Sequence, residues 1–209
     1  MTHPTHSLSL TEASTAPLSI ARSELILGGQ KSGKSRRAEQ LAAAWLARSS
    51  AHDAVLVATA QPWDDEMRQR IARHQADRAQ RVPCMRTAEE PLHLAQALTQ
   101  HSTPHTLLVV DCLTLWLTNR LMPAQGSGDD PVALQVAIEQ LLHAIAHAPG
   151  PVVLVGNEIG LGVIPLGREV RAFVDALGQL NQAVAATCQR VTLMAAGLPL
   201  TLKQEAQPC

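Results

Sequence analysis

The chain has 209 residues, enough for one α/β domain with a sizeable core. Hydrophobic residues make up 46%, which excludes wholesale disorder, while aromatics at 2% leave few stacking platforms for single-stranded nucleic acid. A formal net charge of -1 supplies no global field for nucleic acid or an anionic membrane, so any anion must bind at a local site.

Residues 1–22 are rich in Ser, Thr, His and Pro without periodicity, and are expected to form a flexible extension. A first strand is expected at Glu24-Leu25-Ile26-Leu27, running into Gly28-Gly29. The helix after it places Ala38, Leu41, Ala42, Trp45 and Leu46 on one face. Ala54-Val55-Leu56-Val57-Ala58 reads as the next strand and leads into Thr59-Ala60-Gln61. Asp64 or Asp65 then caps a helix reaching about Arg78. Further on come a helix around 91–100, a strand at Leu107-Leu108-Val109-Val110 ending at Asp111, and a helix over 113–121. A Gly-rich linker over 125–131 precedes a long helix at about 132–147. The strand Val152-Val153-Leu154-Val155 ends at Asn157-Glu158, and a helix at about 170–188 leads to a last strand over 191–195.

Near-continuous β-branched and Leu runs alternating with helices predict a parallel sheet covered on both faces. Ligands of such sheets bind beyond the carboxyl ends of the strands. Attention therefore falls on residues 28–35, 59–61, Asp111 and Asn157-Glu158.

Gly28-Gly29-Gln30-Lys31-Ser32-Gly33-Lys34-Ser35 fits G-x-x-x-x-G-K-[ST] between a strand and an amphipathic helix. Glycines let the backbone wrap phosphates with successive N–H groups pointing inward, and the helix adds its positive end. Lys34 is placed for the β- and γ-phosphates, and the Ser35 hydroxyl for Mg²⁺. Asp111, directly after a buried strand, suits the second metal-binding element, or a helix N-cap, or both. These features predict an α/β P-loop NTPase, RecA-like, with a mainly parallel sheet and helices on both faces. The domain spans 23–203, with a tail at 204–209.

Cys84, Cys112, Cys188 and Cys209 include no Cys-x-x-Cys pair and no zinc spacing, so reduced thiols are expected. No apolar run approaches about 18 residues and no secretory signal pattern begins the chain, so a cytoplasmic protein without a membrane span is expected. The segment from Asp64 to Arg78 places acids first and several Arg residues behind. Met67, Ile71 and His74 fall at i, i+4 and i+7, which sets His74 on or beside an apolar stripe. Spacing alone does not separate a core histidine from a catalyst.

From about residue 24 to 203 the chain resembles the bifunctional adenosylcobinamide kinase / adenosylcobinamide-phosphate guanylyltransferase family of cobalamin biosynthesis. The matching blocks are Leu27-Gly28-Gly29 through Ser35-Arg36, Ala58-Thr59-Ala60, Asp64-Asp65-Glu66-Met67, Arg70-Ile71 with His74, and Thr87-Ala88-Glu89. They continue with Asp111-Cys112-Leu113-Thr114, Thr118-Asn119, Asn157-Glu158-Ile159-Gly160 with Gly162 and Pro165, Gly178 with Asn181-Gln182, and Ala196-Gly197-Leu198-Pro199.

The resemblance implies two reactions. One is phosphoryl transfer from ATP or GTP to the aminopropanol hydroxyl of adenosylcobinamide. The other is GMP transfer from GTP to that phosphate through a guanylyl-histidine at His74. It implies GTP contacts at residues 28–35, at Ala58, Thr59 and Ala60, at Gln75, Ala76, Asp77 and Arg78, and at Glu89 and Asp111. A homotrimer is also implied. Met85 stands where family members often carry Trp. Two other readings of the P-loop are a small-molecule kinase without guanylyl transfer and a nucleotide-dependent binding protein.

Overall fold

A computed structural model describes residues 18–205. In chain order the elements are β1 (Ser23–Gly28), α1 (Lys34–Leu46), β2 (Asp53–Ala58), α2 (Asp65–Arg81), β3 (Arg86–Glu89), α3 (Leu94–His101) and β4 (Thr106–Asp111). They continue with α4 (Leu113–Leu121), α5 (Pro131–His147), β5 (Val152–Val155), α6 (Arg168–Thr187), β6 (Arg190–Ala195) and β7 (Leu198–Gln204). The strands form one sheet in the order β3-β2-β4-β5-β1-β6-β7. Every neighbouring pair is parallel except β6 and β7.

Side chains alternate across a strand, and that alternation sorts the apolar residues into two cores. Leu25, Leu27, Val55, Val57, Leu108, Val110, Val152 and Leu154 face one side, under Trp116, Leu117, Leu141, Ile145, Leu180 and Val184 of α4, α5 and α6. Ile26, Ala54, Leu56, Leu107, Val109, Val153 and Val155 face the other, under Ala38, Leu41 and Ala42 of α1. The expected α/β sheet with helices on both faces is the architecture found.

Several local expectations need correction. Within the stretch 1–22, residues 1–17 lie outside the described residues, but 18–22 are not loose. Ile20 and Ala21 are buried, and Ser19 accepts hydrogen bonds from Arg190 through both its carbonyl and its hydroxyl. Glu24 begins an apolar run yet is itself buried. Its carboxylate meets Arg190 Nη1 at 3.2 Å and accepts from Thr192 Oγ1 at 2.8 Å, which offsets the desolvation of the charge. The sheet edge β7 follows a tight turn in which Ala196 (φ 51) and Gly197 (φ 82) are both left-handed, the geometry of a two-residue hairpin. Gln204 completes β7 and the amide of Glu205 donates to Gln189 O, so of the expected tail 204 and 205 are joined to the sheet, and 206–209 lie outside the described residues. Asp64 caps α2, its side chain accepting from Met67 N at 2.7 Å, and the helix runs three residues further than expected, to Arg81. No residue of α2 is buried.

Candidate active site

The phosphate loop joins β1 to α1 at the centre of the sheet, flanked by the ends of β5 and β6. Gly28 has φ 152, and a Cβ there would lie 2.5 Å from Met194 O and 2.6 Å from Ser32 Oγ, so only glycine fits this close approach. Gly33 forms the left-handed N-cap of α1 at φ 102. The β6–β7 turn supports the loop from outside, with Gly197 N donating to Ser32 O at 3.0 Å.

Lys34 is buried, and its ammonium donates to Gly29 O at 2.6 Å. Burial lowers the Lys34 pKa from its ordinary value. Cys112 and Asp111 oppose that lowering, while the Arg70 cation adds to it. Ser35 Oγ donates to Asp111 Oδ2 at 3.0 Å, so the hydroxyl and carboxylate expected to share a metal are adjacent. Asp111 does not cap α4. The N-cap position is Cys112, without a side-chain cap bond.

Behind Asp111 lies a buried clamp. Thr59 is fully buried, and its Oγ1 both accepts from Cys112 N and donates to Cys112 O, each at 2.8 Å. Asn119, also buried, donates to Thr59 O at 2.8 Å and to Pro91 O at 3.2 Å. Thr59 N donates to Asp111 O at 3.1 Å. The polar groups of Thr59 are thus occupied within the protein, and its part in the site is to hold the Asp111-Cys112 segment. Burial above all, with the Asp111 charge beside it, pushes the Cys112 thiol up to about 11.

Ala58 and Glu89 pair at the carboxyl ends of β2 and β3, with Ala60 half-buried just beyond. Met85 is buried in the core under α1, so it offers no exposed surface for stacking. His74 is exposed, off the half-buried stripe of Met67 and Ile71. Gln75 and Ala76 are exposed too, while Asp77 pairs with Arg81 at 3.5 Å and Arg78 donates to Thr87 Oγ1 at 3.1 Å. Among the described residues no hydrogen bond or ion pair joins 74–78 to the phosphate loop. Arg81, at the far end of α2, pairs with Glu39 of α1 at 2.9 Å.

The residues after β5 carry more of the site than their sequence pattern announced. Asn157 N donates to Thr114 Oγ1 at 2.9 Å, and Asn157 O accepts from Asn181 Nδ2 at 3.1 Å. Glu158 N donates to Gly28 O at 3.1 Å, tying Glu158 to the first residue of the phosphate loop. A cavity of about 390 Å³ runs along the loop, lined by Gly29, Lys31, Ser32, Glu158, Leu161 and Met194 among others. Its wall opposite the loop motif is built from Glu158, Leu161 and residues 193–196, which strand order brings beside the loop from distant parts of the chain.

The chain matches the family model described as "Cobinamide kinase / cobinamide phosphate guanyltransferase" over residues 24–202. It is 50% identical to the bifunctional adenosylcobalamin biosynthesis protein CobP of Pseudomonas aeruginosa PAO1 over 182 residues, covering 87% of this chain and 98% of that protein. It is 36% identical to the bifunctional adenosylcobalamin biosynthesis protein CobU of Salmonella typhimurium LT2, covering 86% and 98%. Among solved structures, a Pyrococcus horikoshii OT3 protein superposes with a TM-score of 0.53 at 8% identity, over 90% of this chain and 89% of that one, a likeness of fold alone.

Proposed function

The chain belongs to the cobinamide kinase / cobinamide phosphate guanyltransferase family, and on that premise we propose that one triphosphate site serves both reactions, with His74 as the covalent guanylyl carrier. The observation that carries the triphosphate site is the Ser35–Asp111 pair at 3.0 Å beside the buried Lys34 ammonium. A hydroxyl next to a carboxylate fits Mg²⁺, an oxygen-seeking cation that keeps most of its water and takes one or two protein ligands. Ser35 and Asp111 would hold it, and when bound it neutralises phosphate charge. The loop N–H groups and the N-terminus of α1 bind the phosphates, and Lys34 exchanges its bond to Gly29 O for phosphate oxygens. Ala58, Ala60 and Glu89 lie at the strand ends where the rest of the nucleotide would extend, with Thr59 acting from behind.

In guanylyl transfer a neutral imidazole nitrogen of His74 attacks the α-phosphorus of GTP. The N–P bond forms, the bond from Pα to the oxygen bridging to Pβ breaks, and pyrophosphate leaves with that electron pair. The substrate phosphate then attacks the same phosphorus and frees the histidine. The assignment is supported by the family resemblance at Arg70-Ile71 and His74 and by the exposure of His74. Because α2 leaves no residue fully buried and only half-buries Met67 and Ile71, bringing residues 74–78 to the nucleotide gives up little apolar burial.

The homotrimer that the resemblance implies would cover apolar surface such as the exposed Val163, Ile164 and Leu166; sedimentation velocity tests it. No helix among the described residues is long and apolar enough to cross a membrane, which fits a cytoplasmic enzyme.

The test of the central reading is incubation with α-labelled GTP followed by peptide mass spectrometry. GMP is expected on His74 alone, as an acid-labile, alkali-stable adduct. His74→Ala is expected to lose the label and GMP transfer while still phosphorylating adenosylcobinamide. Label on another histidine, or GMP transfer at the wild-type rate, refutes the assignment. A protein that phosphorylates but is never labelled is a kinase only.

A further inference from the structure

Phosphoryl transfer to a hydroxyl releases a proton, and the groups assigned so far do not receive it. Asp111 is engaged with Ser35, Lys34 is a cation, and His74 is given to guanylyl transfer. Among the described residues, one other carboxylate lines the cavity along the P-loop. Glu158 lines the 390 Å³ cavity along the loop and also a second cavity of about 600 Å³ that opens under α6 and the β6–β7 hairpin. It stands where the two meet. The second cavity is walled by Leu27, Leu161, Ala185, Val191 and Leu202. Its lysine, Lys203, is tied to the carbonyls of Ala185, Ala186 and Cys188.

The carboxylate makes one bond of its own, and the backbone that carries it is anchored at Glu158 and at Asn157. The Glu158 amide is bonded to Gly28 O, and Oε1 accepts from Gly160 N at 3.0 Å. The preceding residue, Asn157, is pinned by Thr114 and Asn181. Among the described residues no cation pairs with Glu158. Asn181 also lines the larger cavity, with its Nδ2 committed to Asn157 O and its Oδ1 turned inward beside Gly156.

We propose that Glu158 is the general base of the phosphoryl-transfer step, and that the acceptor arm reaches it through the apolar cavity beneath α6. The proposal rests on the family reading for the identity of the acceptor. In the step, the acceptor oxygen attacks the γ-phosphorus and the O–P bond forms. The bond from Pγ to the oxygen bridging to Pβ breaks, and the nucleoside diphosphate leaves with that electron pair. The hydroxyl proton passes to the free carboxylate oxygen of Glu158. A positioned general base of this kind contributes roughly 10²–10⁴-fold in rate.

The experiment compares wild type, Glu158→Gln and Glu158→Asp in two assays: phosphorylation of adenosylcobinamide, and GMP labelling from α-labelled GTP. Glutamine keeps an acceptor for Gly160 N, so the loop survives the change. For Glu158→Gln the phosphorylation kcat is expected to fall about 100-fold or more, far out of proportion to labelling, with KM for the triphosphate within about 3-fold of wild type. Glu158→Asp is expected to recover part of that rate. Phosphorylation by Glu158→Gln within about 3-fold of wild type overturns the proposal, as does a parallel loss of labelling, which would make Glu158 a nucleotide-site residue. A wild-type protein that labels but does not phosphorylate the arm sinks the kinase reading, and the base with it. Ala186→Trp, which fills the larger cavity, is expected to raise KM for the acceptor about tenfold or more, and an unchanged KM refutes the route.

Discussion

Replacing Thr59 with Val tests the clamp behind Asp111. Valine keeps the shape of the side chain and removes the hydroxyl that bonds both Cys112 N and Cys112 O at 2.8 Å. The two partners suffer unequally. Cys112 O still accepts from Trp116 N at 3.1 Å, whereas Cys112 N has no other acceptor among the described residues. Leaving a buried N–H unpaired costs about 1–3 kcal/mol, and losing the second bond about 0.5–1.5 kcal/mol more. The expected loss is therefore roughly 2–4 kcal/mol, and at about 2–4 °C per kcal/mol for a domain of this size the melting temperature should fall by roughly 5–15 °C. Because Asp111 is joined to the same peptide, kcat/KM for the triphosphate should fall as well. Thr59→Ser, which keeps the hydroxyl, should retain most of the activity and lose only the packing of one methyl. Urea titration with unchanged m, followed by steady-state kinetics, reads both effects. A Thr59→Val protein within about 0.5 kcal/mol of wild type would show that the two short contacts hold nothing.

Lys34→Ala removes the buried ammonium of the loop and, on the proposal that one triphosphate site serves both reactions, should lower both phosphorylation and GMP labelling by about 100-fold or more; near-normal turnover in either assay contradicts that sharing. Burial holds the Cys112 and Cys188 thiols at about 11 and about 12, so at pH 8 each is overwhelmingly protonated, and iodoacetamide should modify the exposed Cys84 long before either. The same shifts give a pH window for stability. Below the ordinary thiol value of 9.0 both states are protonated, and above it the unfolded chain ionises while Cys112 and Cys188 do not. Stability should thus fall as pH rises from about 9 toward 11, at a limiting slope of roughly 1.4 kcal/mol per unit for each thiol, and a flat denaturation midpoint over that range contradicts the burial argument.

The core of this fold was legible because it is local. Leu107-Leu108-Val109-Val110 and Val152-Val153-Leu154-Val155 announce strands buried on both faces, and the spacing of Ala38, Leu41 and Ala42 announces the face of α1. The phosphate loop is contiguous, so its chemistry could be read residue by residue. β3 and β7 were not legible as strands. Arg86–Glu89 has no buried residue, and β7 is an exposed edge with a Pro near its start, so neither carries a burial pattern. Glu24 gave no sign of burial because its partners Arg190 and Thr192 lie more than 160 residues away. His74 gained its proposed role from resemblance, since spacing placed it near an apolar stripe and the structure puts it in solvent.

By itself, then, the sequence determined the alternation of strand and helix and the loop that cradles phosphate, both of which depend on neighbours within a turn or two. Only the tertiary structure decided that Thr59 faces inward to clamp Cys112, that Ser35 meets Asp111 across 76 positions, and that Glu158 stands between the loop and the apolar cavity. Those pairings come from strand order: placing β1 beside β5, with β4 next in the sheet, converges the carboxyl ends of strands far apart in the chain.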